Sequence, residues 1–103
     1  MGITVLRDVL AEYRTYEMDG VIYLPVGVDP SLDAAAAVLS YDPAINRRLE
    51  GLEGFLLIEQ VRDIVEGLEA QLSRVTTPSE RLRAVIHYAL HDAYIDPSAA
   101  IDD

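Results

Sequence analysis

Two amphipathic stripes fill most of the second half of this 103-residue sequence. From residue 59 to residue 72, apolar residues recur every three or four positions, and charged residues stand between them. The second stripe begins at Thr77-Pro78-Ser79-Glu80, where a threonine hydroxyl and a glutamate three residues later can satisfy the free amides of a helix start. We therefore predict two helices, with core positions at Val61, Ile64, Val65, Leu68 and Leu72 in the first and at Leu82, Val85, Ile86, Ala89, Leu90 and Ala93 in the second.

Short runs of β-branched and aromatic residues in the first half of the chain predict strands. Val21-Ile22-Tyr23-Leu24 follows the turn signal Asp19-Gly20 and ends at Pro25, which is typical of a strand end or an edge strand. Phe55-Leu56-Leu57-Ile58 is a buried apolar run. It predicts a strand that leads directly into the helix beginning at Glu59.

Two further segments complete the secondary structure. Residues 3–14 carry apolar side chains on one side at helical spacing, which predicts a first helix. Residues 32–41 give conflicting signals, because residues 34–37 are alanines that favour a helix and Val38-Leu39-Ser40-Tyr41 favours a strand. We predict a strand at about 36–41.

These elements predict a single α+β domain over residues 1–97. It has an N-terminal helix, a small antiparallel sheet of two or three strands, and two C-terminal helices packed on the sheet. Residues 42–54 contain proline, asparagine, two glycines and five charges, which predicts an exposed connection. Residues 98–103 are expected to form a frayed acidic tail.

The charge balance restricts the class of partner. The chain has eighteen Asp and Glu against eight basic residues, all of them Arg, and its formal net charge is -10. Nucleic acids and anionic membranes require a positive surface, so the composition argues against both and favours a basic protein partner or solubility alone. Because cysteine is absent and no signal-peptide or membrane-spanning run occurs, we expect a soluble, cytoplasmic protein.

Candidate catalytic chemistry is sparse. His87 and His91 are four residues apart and share a helix face, with Asp92 nearby, but two imidazoles need further ligands to hold a metal. No nucleophile elbow, phosphate-binding glycine loop or dinucleotide fingerprint occurs. We predict no catalytic residue, metal or cofactor, and keep a small metal-dependent enzyme using the two histidines as an alternative.

Acidic and aromatic residues offer a contact surface instead. Glu59, Asp63 and Glu66 recur at i, i+4 and i+7 and form an acidic ridge, which is either a solvated face or an electrostatic binding surface. The sequence also contains six tyrosines, a residue enriched at interface hot spots. Tyr16 and Tyr41 stand beside acidic residues near predicted turns and are the better contact candidates.

Five segments in order carry a resemblance to a known group of proteins. They are Ile22-Tyr23-Leu24-Pro25 after the first helix, Val38-Leu39, Asp42-Pro43, Ile58 to Val65, and His91-Asp92-Ala93-Tyr94-Ile95. With its acidity, the chain resembles the small immunity proteins of bacterial contact-dependent growth inhibition systems, and the order of segments resembles an uncharacterised bacterial family over about 80 residues.

The resemblance implies a cytoplasmic inhibitor, not an enzyme, that binds the C-terminal toxin domain of its cognate partner one to one. That domain is expected to be a basic protein with nuclease activity, so the inhibitor itself would contact neither nucleic acid nor membrane. A regulatory or scaffold domain that binds another basic protein stays open as an alternative. The residues expected to bind the toxin are Tyr41, Asp42, Glu50, Glu53, Glu59, Asp63 and Glu66.

Overall fold

The computed structural model describes residues 4–40 and 51–101, which form the predicted α+β fold. Strands β1 to β4 span Thr4–Val5, Gly20–Pro25, Ala35–Ser40 and Leu52–Leu57. Helices α1 to α4 span Leu6–Ala11, Ile58–Leu72, Pro78–His91 and Pro97–Ala100, and a short 3-10 helix at Tyr13–Thr15 follows α1. Within the described residues, no helix is long and apolar enough to cross a membrane.

The four strands form one antiparallel sheet in the order β1-β3-β2-β4. The sheet has one strand more than the two or three predicted, because Thr4 and Val5 pair with Ala36 and Ala35 instead of starting the first helix. The predicted strand at about 36–41 is confirmed by β3. Its alanines are small enough to pack in the sheet, so burial overrides their helix propensity.

Strand β2 is buried on both faces of the sheet. Ile22 and Leu24 belong to the core that the helices share, and the alternating residues Val21 and Tyr23 are also buried. β4 pairs with β2 through a register shift, since Ile22 faces Leu56 and Tyr23 faces Gly54. The predicted third strand therefore begins earlier, at Leu52, and shortens the predicted connection; residues 42–50 of that connection lie outside the described residues.

Helix α1 is shorter than the helix predicted at 3–14. The amides of Leu6 and Arg7 donate to the carbonyls of Ala34 and Leu32, both at 2.9 Å, which anchors the helix start beside β3. After Ala11 the backbone tightens into the 3-10 helix, so Tyr13 still reaches the core. The apolar face was predicted correctly, but the extended backbone of residues 4 and 5 was not.

The core lies between the sheet and helices α1 to α3. Its fully buried side chains come from every one of these layers: Leu6, Val9 and Leu10 from α1, Ile22 from β2, Ile58, Val61 and Val65 from α2, and Ala84 and Val85 from α3. The predicted stripe of α2 is confirmed, with Leu72 partly buried at its end.

The predicted stripe of α3 is wrong in its second half. Ala89 and Ala93 are exposed and Leu90 is 74% exposed, whereas Ala84 and Val85 are fully buried. α1 contains six residues and is about 9 Å long, against about 21 Å for the fourteen residues of α3. α1 can therefore cover only part of α3.

The chain after α3 is more ordered than the frayed tail that we predicted from residue 98. Asp96 caps α4 by accepting hydrogen bonds from the amide and hydroxyl of Ser98, at 2.9 and 2.7 Å. Ala100 is fully buried, and its carbonyl accepts a 2.8 Å hydrogen bond from Arg83. These contacts hold residues 97–101 against α3.

A buried polar network fixes α2 to the start of α3. The Glu69 carboxylate accepts hydrogen bonds from the amide and hydroxyl of Thr76, at 2.8 and 2.9 Å, and from Arg81 at 3.1 Å. Arg81 also donates to the carbonyl of Leu10 at 2.7 Å, which ties the network to α1. Burial alone would raise the pKa of Glu69, but these hydrogen bonds and the Arg81 charge outweigh burial and hold the pKa below its ordinary value.

The Glu69 network should make stability depend on pH in acid. Because the folded-state pKa lies below the unfolded value of about 4.3, the stabilisation is complete above that value and is lost as the pH falls through the folded-state pKa. We expect Glu69→Gln to lower the urea midpoint at pH 7 and to reduce its fall between pH 6 and pH 3. Glu53→Gln, at an exposed position, should keep the wild-type pH profile. Equal profiles for Glu69→Gln and wild type would contradict the role of this carboxylate.

Candidate functional site

The predicted acidic ridge on α2 divides into free and neutralised carboxylates. Glu59 and Asp63 are exposed and have no ion-pair partner among the described residues. Glu66 is partly buried and accepts a hydrogen bond from the Tyr13 hydroxyl at 3.2 Å. Its charge is balanced by Arg14 at 3.4 Å and Arg62 at 3.6 Å. Glu66 is therefore the member of the ridge least available to another protein.

Asp19, which the sequence marked only as a turn residue, joins the free carboxylates. It lines a shallow cleft of about 300 Å³ together with Met18, Leu57 and Glu59. Two carboxylates thus stand at the rim of a cleft with apolar walls. We call Asp19, Glu59 and Asp63 the acidic face.

Close packing places Asp19 beside the start of α2. The turn before β2 is closed by a 3.0 Å hydrogen bond from the Gly20 amide to the Glu17 carbonyl. A Cβ at Gly20 would lie 3.0 Å from that carbonyl oxygen and 3.1 Å from the Ile58 side chain. Glycine therefore allows the turn to approach α2 closely, which brings Asp19 to Glu59 in the first turn of that helix.

The charges around the acidic face are unbalanced. Each arginine in the described part of the chain is already engaged by the protein itself: Arg7 with Asp33, Arg14 and Arg62 with Glu66, Arg74 with Glu80, Arg81 with Glu69, and Arg83 with the carbonyl of Ala100. None of these ion pairs includes a residue of the acidic face. The three carboxylates of the acidic face thus have no ion-pair partner among the described arginines, although Arg62 lies beside them with its Nη1 3.7 Å from the Met18 sulfur.

An apolar groove lies directly next to the acidic face. It has a volume of about 260 Å³ between α2 and the segment that follows α3, and Asp63 stands at its rim. Of the described tyrosines, Tyr94 is the most exposed, at 63%, and it stands on the far wall with its ring 5.5 Å from that of Tyr88. We call this the Tyr94 groove; its remaining lining residues are Ile64, Gly67, Leu68, Gln71 and Ile95.

The other predicted contact residues are less well placed or lie outside the structure described. Glu53 is exposed on β4, four residues before the strand ends, so about 13 Å of strand separates it from Leu57 at that end. Tyr16 is half-buried, and burial followed by the charges of Glu12 and Asp8 raises its pKa. The predicted contacts Tyr41, Asp42 and Glu50 lie outside the described residues.

The histidine pair does not form a metal centre with its described neighbours. The imidazole rings of His87 and His91 lie 4.6 Å apart and are tilted against each other. Among residues 4–40 and 51–101, no group of three or more histidine, cysteine, aspartate or glutamate side chains could hold a metal ion. Within those ranges, the pair lacks the additional ligands that zinc requires.

Sequence reasoning missed Asp19 and Tyr94 for identifiable reasons. Asp19 belongs to an Asp-Gly turn signal, and its position beside Glu59 follows from contact between segments forty residues apart. Tyr94 was among the tyrosines considered, but Tyr16 was preferred because it adjoins a turn. One signal in the sequence could have identified Tyr94. It stands between the end of α3 and the stop signal Asp96-Pro97, so its side chain does not belong to the apolar stripe of the helix.

Comparison with known proteins gives one match. A family model described as a domain of unknown function (DUF7716) matches residues 3–97. No curated protein matches the chain, and no solved structure does.

Proposed function

The chain belongs to the DUF7716 family, and we propose that it is an immunity protein that binds and neutralises a basic toxin domain, most simply a nuclease, in the bacterial cytoplasm. The observation that carries the proposal is the unbalanced acidic face. Within residues 4–40 and 51–101, Asp19, Glu59 and Asp63 have no ion-pair partner, and each arginine there is engaged elsewhere in the protein. Such a surface favours a partner that supplies its own positive charges.

A nuclease domain has the complementary surface. It must hold a polyanionic substrate, so its cleft carries arginines and lysines in an arrangement that attracts phosphates. An acidic protein that enters the cleft competes with that substrate directly. Electrostatic steering can raise association rates from about 10⁵–10⁶ M⁻¹s⁻¹ to 10⁸ M⁻¹s⁻¹ or more at low salt, which is fast enough to intercept an incoming toxin.

The proposed contact surface combines charge with apolar area. The acidic face would steer the encounter and the Tyr94 groove beside it would supply apolar and aromatic contact. Tyr41, Asp42, Glu50 and Glu53 stay predicted toxin contacts. Glu66 would contribute least, because two arginines already balance its charge.

Co-expression with the neighbouring toxin gene tests the proposal. The tagged protein is produced together with the C-terminal toxin domain encoded beside it, captured under native conditions, and analysed by size-exclusion chromatography with light scattering. We expect a one-to-one complex in which nuclease activity is lost, and activity that returns when the toxin is separated by denaturation and refolded alone. A toxin domain that stays fully active with an excess of this protein would refute the proposal.

A further inference from the structure

The Tyr94 groove contains the side chains needed to hold an arginine. Asp63 provides a carboxylate at the rim, Tyr94 provides an exposed aromatic face, and the buried Ile64 and Leu68 line the groove between them. A guanidinium group can pair with a carboxylate and stack on an aromatic ring, while its three methylene groups contact apolar surface. No described arginine is paired with Asp63.

The protein itself shows this arrangement with the arginine in place. One helical turn further along the same ridge of α2, the Arg14 guanidinium carbon lies 5.4 Å from the centre of the Tyr13 ring, and the Arg14 Nε lies 3.4 Å from Glu66. Arg81 also lies over the Tyr13 ring, at 5.6 Å. The Tyr94 groove also has an aromatic ring and a carboxylate among its lining residues, and no described arginine is paired with that carboxylate.

Gly67 opens the middle of the groove. It lies on the same face of α2 as Asp63 and Gln71, four residues after the first and four residues before the second. A Cβ at this position would meet no atom within 4 Å, so packing does not require glycine here. Glycine inside a helix is unfavourable compared with alanine. Its effect at this position is to leave room for a side chain from outside.

We infer that the Tyr94 groove is a receptor for one arginine side chain of the basic partner, paired with Asp63 and stacked on Tyr94. This inference rests on the proposed function, since it names the chemical group that the toxin domain presents. Arginine fits better than lysine because its planar guanidinium stacks on the ring, whereas an ammonium group is a strongly hydrated point charge.

Titration with Nα-acetylarginine amide tests the groove without the toxin. Two-dimensional NMR spectra should show saturable shifts of the Gly67 amide and the Tyr94 ring at millimolar concentrations. Nα-acetylcitrulline amide, which has the same shape without the charge, should bind at least fivefold more weakly. Shifts of equal size with citrulline, or shifts spread evenly over all acidic residues, would overturn the inference.

Matched variants distinguish the contribution of the Tyr94 ring to arginine binding from its contribution to the stability of the fold. Tyr94→Phe should keep arginine binding and Tyr94→Leu should weaken it several-fold, while both retain the wild-type melting temperature within a few degrees because the side chain is exposed. Gly67→Gln should abolish the shifts by filling the groove, and Gly67→Ala should raise the melting temperature. Equal arginine binding by Tyr94→Leu and Tyr94→Phe would show that stacking on the ring does not contribute to binding.

The outcomes for the groove and for the toxin are distinguishable. If the toxin is neutralised but Tyr94→Leu and Gly67→Gln bind it as tightly as wild type, the groove inference is wrong and the proposed function stands. If the groove binds arginine but the neighbouring toxin is neither bound nor inhibited, the proposed function is wrong and the groove serves another basic partner.

Discussion

Reversing the charges of the acidic face, by Asp19→Lys, Glu59→Lys and Asp63→Lys together, is expected to weaken the complex with the toxin domain about 100-fold. Each lysine removes an attraction and adds a repulsion against the basic cleft. A 100-fold change corresponds to about 3 kcal/mol at 25 °C. Surface plasmon resonance at several salt concentrations measures the change, which should fall mostly on the association rate, together with a flatter salt dependence.

A second triple variant controls for net charge. Asp8→Lys, Glu12→Lys and Asp29→Lys change exposed carboxylates that lie outside the acidic face and are not predicted toxin contacts, and they raise the net charge by the same amount. We expect this variant to weaken binding less than tenfold, through long-range steering alone. If the two triple variants weaken binding equally, the negative charge of the whole molecule drives association and the acidic face has no local role.

Removing the buried carboxylate of Glu80 is expected to destabilise the protein by about 3 kcal/mol. Glu80 is 0% exposed and pairs with Arg74 through two contacts of 2.8 and 2.7 Å. It also accepts a 2.9 Å hydrogen bond from the Thr77 amide at the start of α3. Glu80→Ala removes the ion pair and half of the capping box, and the melting temperature should fall by roughly 12 °C or more.

Glu80→Gln distinguishes the stability contributed by the helix cap from that contributed by the charge of the carboxylate. Its amide oxygen can still accept the hydrogen bond from Thr77, so we expect about half the loss of Glu80→Ala in the free energy of unfolding. Urea denaturation of both variants and of Arg74→Ala gives the comparison. A loss below about 1 kcal/mol for Glu80→Ala would mean that water replaces both partners of this carboxylate.

The elements that could be predicted from the sequence are those set by local chemistry. The capping box at Thr77 and Glu80 identified the start of α3 correctly, since the Glu80 amide donates to the Thr77 hydroxyl at 3.2 Å. The apolar period of α2 was equally clear. Two of the errors depend on distant contacts: Thr4 and Val5 become a strand by pairing with β3, and Leu90 is exposed because α1 is short.

The candidate site was predictable only as a helix face. Spacing along α2 identified Glu59 and Asp63 as neighbours, because the helical period alone determines that relation. The same spacing gave equal weight to Glu66. Spacing along one helix cannot show that Arg14, 52 residues earlier in the chain, contacts this carboxylate. Asp19 and Tyr94 also reach the site through the fold. A charge pattern therefore indicates which residues can be acidic contacts, and tertiary structure determines which of them stay free.

The direct junction of β4 and α2 has a consequence for selectivity. The strand ends at Leu57 and the helix begins at Ile58, so no hinge lies beneath Glu59 and Asp63. Ordering one backbone residue costs about 1–2 kcal/mol, and here that entropy is lost during folding and not on association. The α2 helix sets the spacing of the two carboxylates, and the junction fixes the direction in which the helix presents them relative to the sheet. Under the proposed function, a toxin whose cations are placed differently would gain no compensation from backbone adjustment, so the rigid junction would restrict the protein to a narrow set of partners.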